Sequence, residues 1–120
     1  MDTVTLTINN TEYVVKFGFG AFKQLAKIWG VAKFSELGTF FNKLTFKEGE
    51  EPTIEQLELV GDIVHAGILN TNNNTSQLDV DAMMSELLFN NSEKLKEVME
   101  LFAQSMPKTQ GKSKRVKKAS

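Results

Sequence analysis

The 120-residue chain has no cysteine, two prolines, one histidine, one tryptophan and one tyrosine. Without cysteine there is no disulfide framework, no thiolate metal site and no thiol nucleophile, so the fold must rest on apolar burial and hydrogen bonds. No run approaches the roughly 20 apolar residues of a membrane span. The opening MDTVTLTINN has neither the basic nor the apolar region of a secretory signal, so the expectation is a cytoplasmic protein with no membrane partner. No serine sits in a G-x-S-x-G elbow, and a single histidine gives little scope for a nucleophilic triad. The length suits one domain.

The formal net charge of −1 conceals an uneven distribution. Residues 1–107 carry all fifteen acids against eight lysines, a net −7, whereas residues 108–120 carry six cations and no acid. The expected organisation is a globular domain over 1–107 followed by a basic tail over 108–120, with Lys112, Lys114, Arg115, Lys117 and Lys118 as its dense end. One apolar residue of any size, Val116, is too little to offset the entropy of ordering that tail, which reads as disordered.

Within the body, Val4, Leu6 and Ile8 alternate with Thr3, Thr5 and Thr7, and Glu12–Phe17 alternates likewise. Two period-two runs around Asn10–Thr11 predict an antiparallel hairpin. Such a hairpin is marginal alone and needs helices on its apolar face. The first follows Gly18 and Gly20, with Phe22, Leu25, Ile28 and Trp29 in its stripe and Gly30 as its stop. Ser35 is the expected cap of a short second helix carrying Leu37, Phe40, Phe41 and Leu44. Thr53 and Gln56 form a capping-box pattern for a central third helix, with Ile54, Leu57, Gly61, Val64 and Ile68 as its stripe.

Asn70–Gln77 reads as a polar loop. Beyond it, Asp79 is placed to cap a fourth helix and Ser92 a fifth, the latter running through Leu95, Val98, Met99, Phe102 and Met106 to Pro107. The fold class is therefore α+β, an N-terminal antiparallel β-hairpin packed against a bundle of about five mostly short α-helices.

Three patterns invite a chemical reading. Gly18-Phe19-Gly20 resembles the opening of a dinucleotide fingerprint, but no βαβ unit follows and position 23 is lysine, so a strand-to-helix turn is the better reading and no cofactor is expected. Glu58, Asp62 and His65 share a helix face, yet a solvated polar stripe accounts for them, and neither a metal nor catalytic residues are expected. Sequons begin at Asn9, Asn73, Asn74 and Asn90, which without export are loop composition.

Nine phenylalanines and five methionines are many for this length. Adjacent pairs such as Phe40/Phe41, Met83/Met84 and Leu87/Leu88 widen the apolar helix faces beyond what one small core is expected to consume. Methionine repacks readily and suits a surface that a partner covers. The expected partner-binding residues are Phe40, Phe41, Met83, Met84 and Leu88, and the expected role is to bind protein.

The run LTINNTEYVVKFGFGAFKQL, through Leu6, Ile8, Asn9, Tyr13, Phe17, Gly18, Ala21 and Leu25, resembles the start of tail assembly chaperones of long-tailed bacteriophages. IVHAGILN (Ile63–Asn70) is similar to that family's central-helix segment and Asp79–Phe89 to its following short helix, so the resemblance covers about residues 3–106. It implies a non-enzymatic factor of the infected host cytoplasm, absent from the mature virion, that coats the hydrophobic tape measure protein until tail tube subunits displace it. It also implies a longer isoform made by ribosomal frameshifting that recruits the major tail tube protein, and self-association of the chaperone. The rival class is a small nucleic-acid-associated regulator using the basic tail, although the tail has no aromatic residue for base stacking and the acidic body repels a polyanion.

Overall fold

The computed structural model describes residues 3–44, 51–71 and 79–105. Strands β1 (Thr3–Ile8) and β2 (Thr11–Lys16) pair antiparallel, with Val4 opposite Val15, Leu6 opposite Tyr13 and Ile8 opposite Thr11. The turn lies one residue earlier than the sequence suggested, at Asn9–Asn10, whose φ values of 52° and 68° are both positive. A two-residue hairpin loop of that kind matches the twist of the strands, and asparagine tolerates it better than a β-branched Thr11. Val4, Leu6, Ile8, Val15 and Phe17 are buried, while Thr5 and Thr7 face solvent.

Five helices follow: α1 (Phe19–Trp29), α2 (Phe34–Asn42), α3 (Ile54–Thr71), α4 (Val80–Phe89) and α5 (Ser92–Ser105). The α+β class, a hairpin packed on helices, is therefore as read. α3 is central, packing against α1, β2 and α4, and α5 closes the assembly against β1 and α4. Gly67 lets α3 approach the hairpin closely, because a Cβ there would lie 2.6 Å from Val15 Cγ1 and 2.9 Å from Phe17 Cε1.

The helix boundaries follow capping chemistry. Thr53 and Gln56 form the reciprocal box, Thr53 N–H donating to Gln56 Oε1 at 2.8 Å and Gln56 N–H to Thr53 Oγ1 at 3.1 Å. Asp79 Oδ1 accepts from Ala82 N–H at 3.1 Å, and Gly30 closes α1 in the left-handed conformation. Ser35, by contrast, is inside α2. The Glu36 carboxylate reaches back to accept from the Ala32 and Lys33 N–H groups, which starts the helix at Phe34. Ser92 is likewise the first residue of α5 rather than its cap, and the Asn91 carbonyl accepts from Lys94 and Leu95.

Asn70 and Thr71 belong to the last turn of α3, not to a loop. Their side chains find partners on the hairpin, Asn70 Nδ2 donating to the Lys16 carbonyl at 3.0 Å and Thr71 Oγ1 to the Val14 carbonyl at 2.7 Å. Residues 72–77 of the expected loop, Met106 and the tail over 108–120 lie outside the described residues.

Two stripe positions also differ from expectation. Ile28 is exposed because Phe22, Leu25 and Trp29 take the inward positions of α1, leaving Ile28 about 100° round the helix from Trp29. Ile54, the first residue of α3, is 74% exposed.

Candidate functional site

The residues singled out for chemistry are mostly occupied with structure. Gly18 has φ 138°, a conformation reserved almost entirely for glycine, and its carbonyl accepts from Phe22 N–H at 3.1 Å. Its glycine is thus explained by the turn from β2 into α1. Of the polar stripe on α3, Asp62 accepts from the Trp29 indole N–H at 2.8 Å, while Glu58 is exposed. His65 is half-buried, and burial lowers its pKa below the ordinary 6.5, opposed in part by the nearby Asp62 carboxylate. Among the described residues no group of three histidine, aspartate or glutamate side chains is placed to hold a metal ion. No helix among them is long and apolar enough to cross a membrane.

The five side chains expected to form a partner surface divide. Met83 is fully buried and Met84 nearly so, both in the main core, and Met84 lies against Gly61 of α3. Phe41 makes edge-on contacts with Trp29 and Phe102 at centroid separations of 5.8 and 5.3 Å, and Phe40 stacks on Trp29 at 4.5 Å with the rings 8° from parallel. Phe40 and Phe41 thus both pack on Trp29 of α1, and Phe41 also on Phe102 of α5. Leu88, half-buried, and Met84 line a concave surface.

That surface is a groove of about 520 Å³ between α3 and α4. Among the described residues Ile54, Leu57, Gly61, Val80, Met84 and Leu88 give it an apolar lining, and the charged residues along it, Glu58, Asp62 and Asp81, are acidic. Its sequence signal is the set 54, 57, 58, 61 on one helix face and 80, 84, 88 on another, a spacing the core stripe obscured.

A second groove of about 270 Å³ lies between α1 and α2, lined by Phe19, Phe22, Lys23, Phe34 and Leu37 among others. Its charged residues are both lysines, Lys23 and Lys33. Phe19 is 71% exposed and Phe34 43%, and Lys23 Nζ lies 5.6 Å from the centroid of the Phe19 ring. Sequence reasoning missed Phe19 and Phe34 because each sits at the first residue of its helix, before a stripe is established. Phe89, at the end of α4, is 81% exposed.

Comparison with protein-family models, with curated proteins and with solved structures found no match to this chain.

Proposed function

We propose that the chain is a tail assembly chaperone, a non-enzymatic protein whose α3–α4 groove receives an apolar helix face of the tape measure protein and keeps that client soluble. The observation that carries this reading is the groove itself, an open apolar trough rimmed by Glu58, Asp62 and Asp81 on a body with excess acid. A trough between two helices accommodates apolar side chains at helical spacing, and the rim favours a client helix with lysine or arginine beside its apolar stripe. The resemblance of residues 3–106 to tail assembly chaperones supports the same reading.

Binding of this kind is built for release. Burial is worth about 25 cal/mol per Å² of apolar area, so one shallow groove holds its client modestly, and many copies along a long helix shield it collectively while remaining displaceable. Tail tube subunits would then strip the copies stepwise, in the host cytoplasm and before the virion is complete, with a frameshifted longer isoform recruiting the major tail tube protein.

Co-expression with a very long coiled-coil protein encoded beside this chain tests the assignment. The expected result is a client that is soluble with the wild-type chain and insoluble with an Ile54→Asp/Leu88→Asp variant that retains its helical circular dichroism. Equal client solubility with the wild-type chain and the variant would remove the groove from the function.

A further inference from the structure

Three carboxylates border the α3–α4 groove, Glu58 and Asp81 exposed and Asp62 half-buried and bonded to the Trp29 indole. Among the described residues the ion pairs are Lys43–Glu55 and Lys94–Glu97, which use none of the three. The balancing charge is concentrated elsewhere in the chain, since residues 1–107 are net −7 and residues 108–120 carry six cations and no acid. Within that stretch Val116 is flanked by Lys114 and Arg115 on one side and by Lys117 and Lys118 on the other. One apolar side chain between pairs of cations is what an apolar trough with an acidic rim accepts.

We infer that residues 114–118 occupy the α3–α4 groove of their own chain, with Val116 against Leu57, Met84 and Leu88 and the flanking cations against Glu58, Asp62 and Asp81. The end of α5 stands close enough to deliver them. Phe102 lies 5.3 Å from Phe41 and Phe41 5.8 Å from Trp29 between ring centroids, and Trp29 Nε1 is 2.8 Å from Asp62 Oδ2. Two ring contacts and one hydrogen bond therefore separate the last turn of α5 from the groove rim. The nine residues from Ser105 to Lys114 extend up to about 30 Å, which crosses that path with slack.

Around Val116 the methylene stems of lysine and arginine cover the remaining apolar lining, while their charged heads stay at the wet rim. Each pair is weak on its own. Tethering compensates, because a segment on a short linker is present at an effective concentration of about millimolar. A second acidic hollow, of about 230 Å³ beside α5, suits the segment less, since its Glu97 already pairs with Lys94 and its apolar lining is Val4 and Leu101. One consequence rests on the client reading: the segment covers the trough until a longer apolar stripe displaces it.

The chain has no cysteine, so Ala119→Cys gives a single attachment point for a nitroxide spin label on the full-length protein. In an isotope-labelled sample studied by nuclear magnetic resonance at low salt, the amide signals of Gly61, Met84 and Leu88 are expected to lose about half their intensity or more. They are expected to recover at about 1 M salt, where the screening length is about 3 Å. Recovery is expected equally in Glu58→Gln/Asp81→Asn and in Arg115→Gln/Lys117→Gln, which neutralise opposite sides of the contact. Unbroadened groove signals, broadening confined to the Glu97 and Glu100 face of α5, or broadening that either pair of substitutions leaves unchanged would overturn the inference. So would equal broadening when spin label and isotope are carried by separate chains in a mixture, because the segment would then lie on another copy. No client enters the experiment, so a failure here leaves the co-expression result standing, and a failed co-expression leaves this contact intact.

Discussion

The indole N–H of Trp29 donates to the Asp62 carboxylate across 2.8 Å, joining the last turn of α1 to the middle of α3 over 33 residues of sequence. Both groups are partly buried, and Trp29 simultaneously stacks on Phe40, so one side chain ties three helices together. Replacing Trp29 by phenylalanine keeps the stack and deletes the donor. The expected cost is about 1 to 2 kcal/mol, the range for a hydrogen bond to a charged group at a partly wet site. Urea denaturation followed by far-ultraviolet circular dichroism reads it, with Asp62→Asn expected to lose less because an amide oxygen still accepts.

His65 makes stability fall in mild acid. Its folded-state pKa lies below 6.5, chiefly because burial disfavours the cation, so the unfolded chain binds its proton first as pH drops. The contribution is fully present above the unfolded value near 6.5 and is lost as pH falls from there through the folded value. Denaturation midpoints measured between about pH 7.5 and pH 5 should decline more steeply for the wild type than for His65→Gln. Parallel profiles for the two proteins would exclude this contribution.

Two glycines on different helices should respond oppositely to the same change. Gly67→Ala drives a methyl group into Val15 and Phe17, both buried, and is expected to cost about 1 to 3 kcal/mol. Gly38→Ala in α2 meets nothing within 4 Å and should gain up to about 1 kcal/mol from helix propensity. Thermal midpoints of the two variants, compared with the wild type, decide both.

Met83 and Phe89 separate packing from exposure within a single helix. Met83→Ala empties a fully buried site and should cost about 2 to 5 kcal/mol. Phe89→Ser removes a ring that is 81% exposed and should leave the folded chain within about 0.5 kcal/mol of wild type. A large loss from the second change would mean that the ring packs in solution against something other than this copy.

Local features of this fold were legible in the sequence because they depend on residues within four positions of one another. The period-two runs of the hairpin, the Thr53–Gln56 box, the Asp79 cap and the Gly30 stop all belong here. Where two local signals competed, the longer side chain won, as when Glu36 rather than Ser35 set the start of α2. Side-chain destinations were less legible. Period placed Ile54 in a core stripe, and the surplus of adjacent apolar pairs made Met83 a partner-surface residue; the structure exposes the first and buries the second, because burial depends on which helix packs where. The α3–α4 groove was hidden for the same reason, since its walls come from helices separated by a long polar stretch. Glu58 and Asp62 were visible as a charged face, but their acidic rim exists only once Asp81 stands opposite.

The side chains of Asn70 and Thr71 occupy the Lys16 and Val14 carbonyls on the outer margin of β2. A third strand seeking to extend the sheet there finds those acceptors already engaged and a helix end in its way. The hairpin is thereby held at two strands on that flank, closed to pairing by the end of the helix that packs on it.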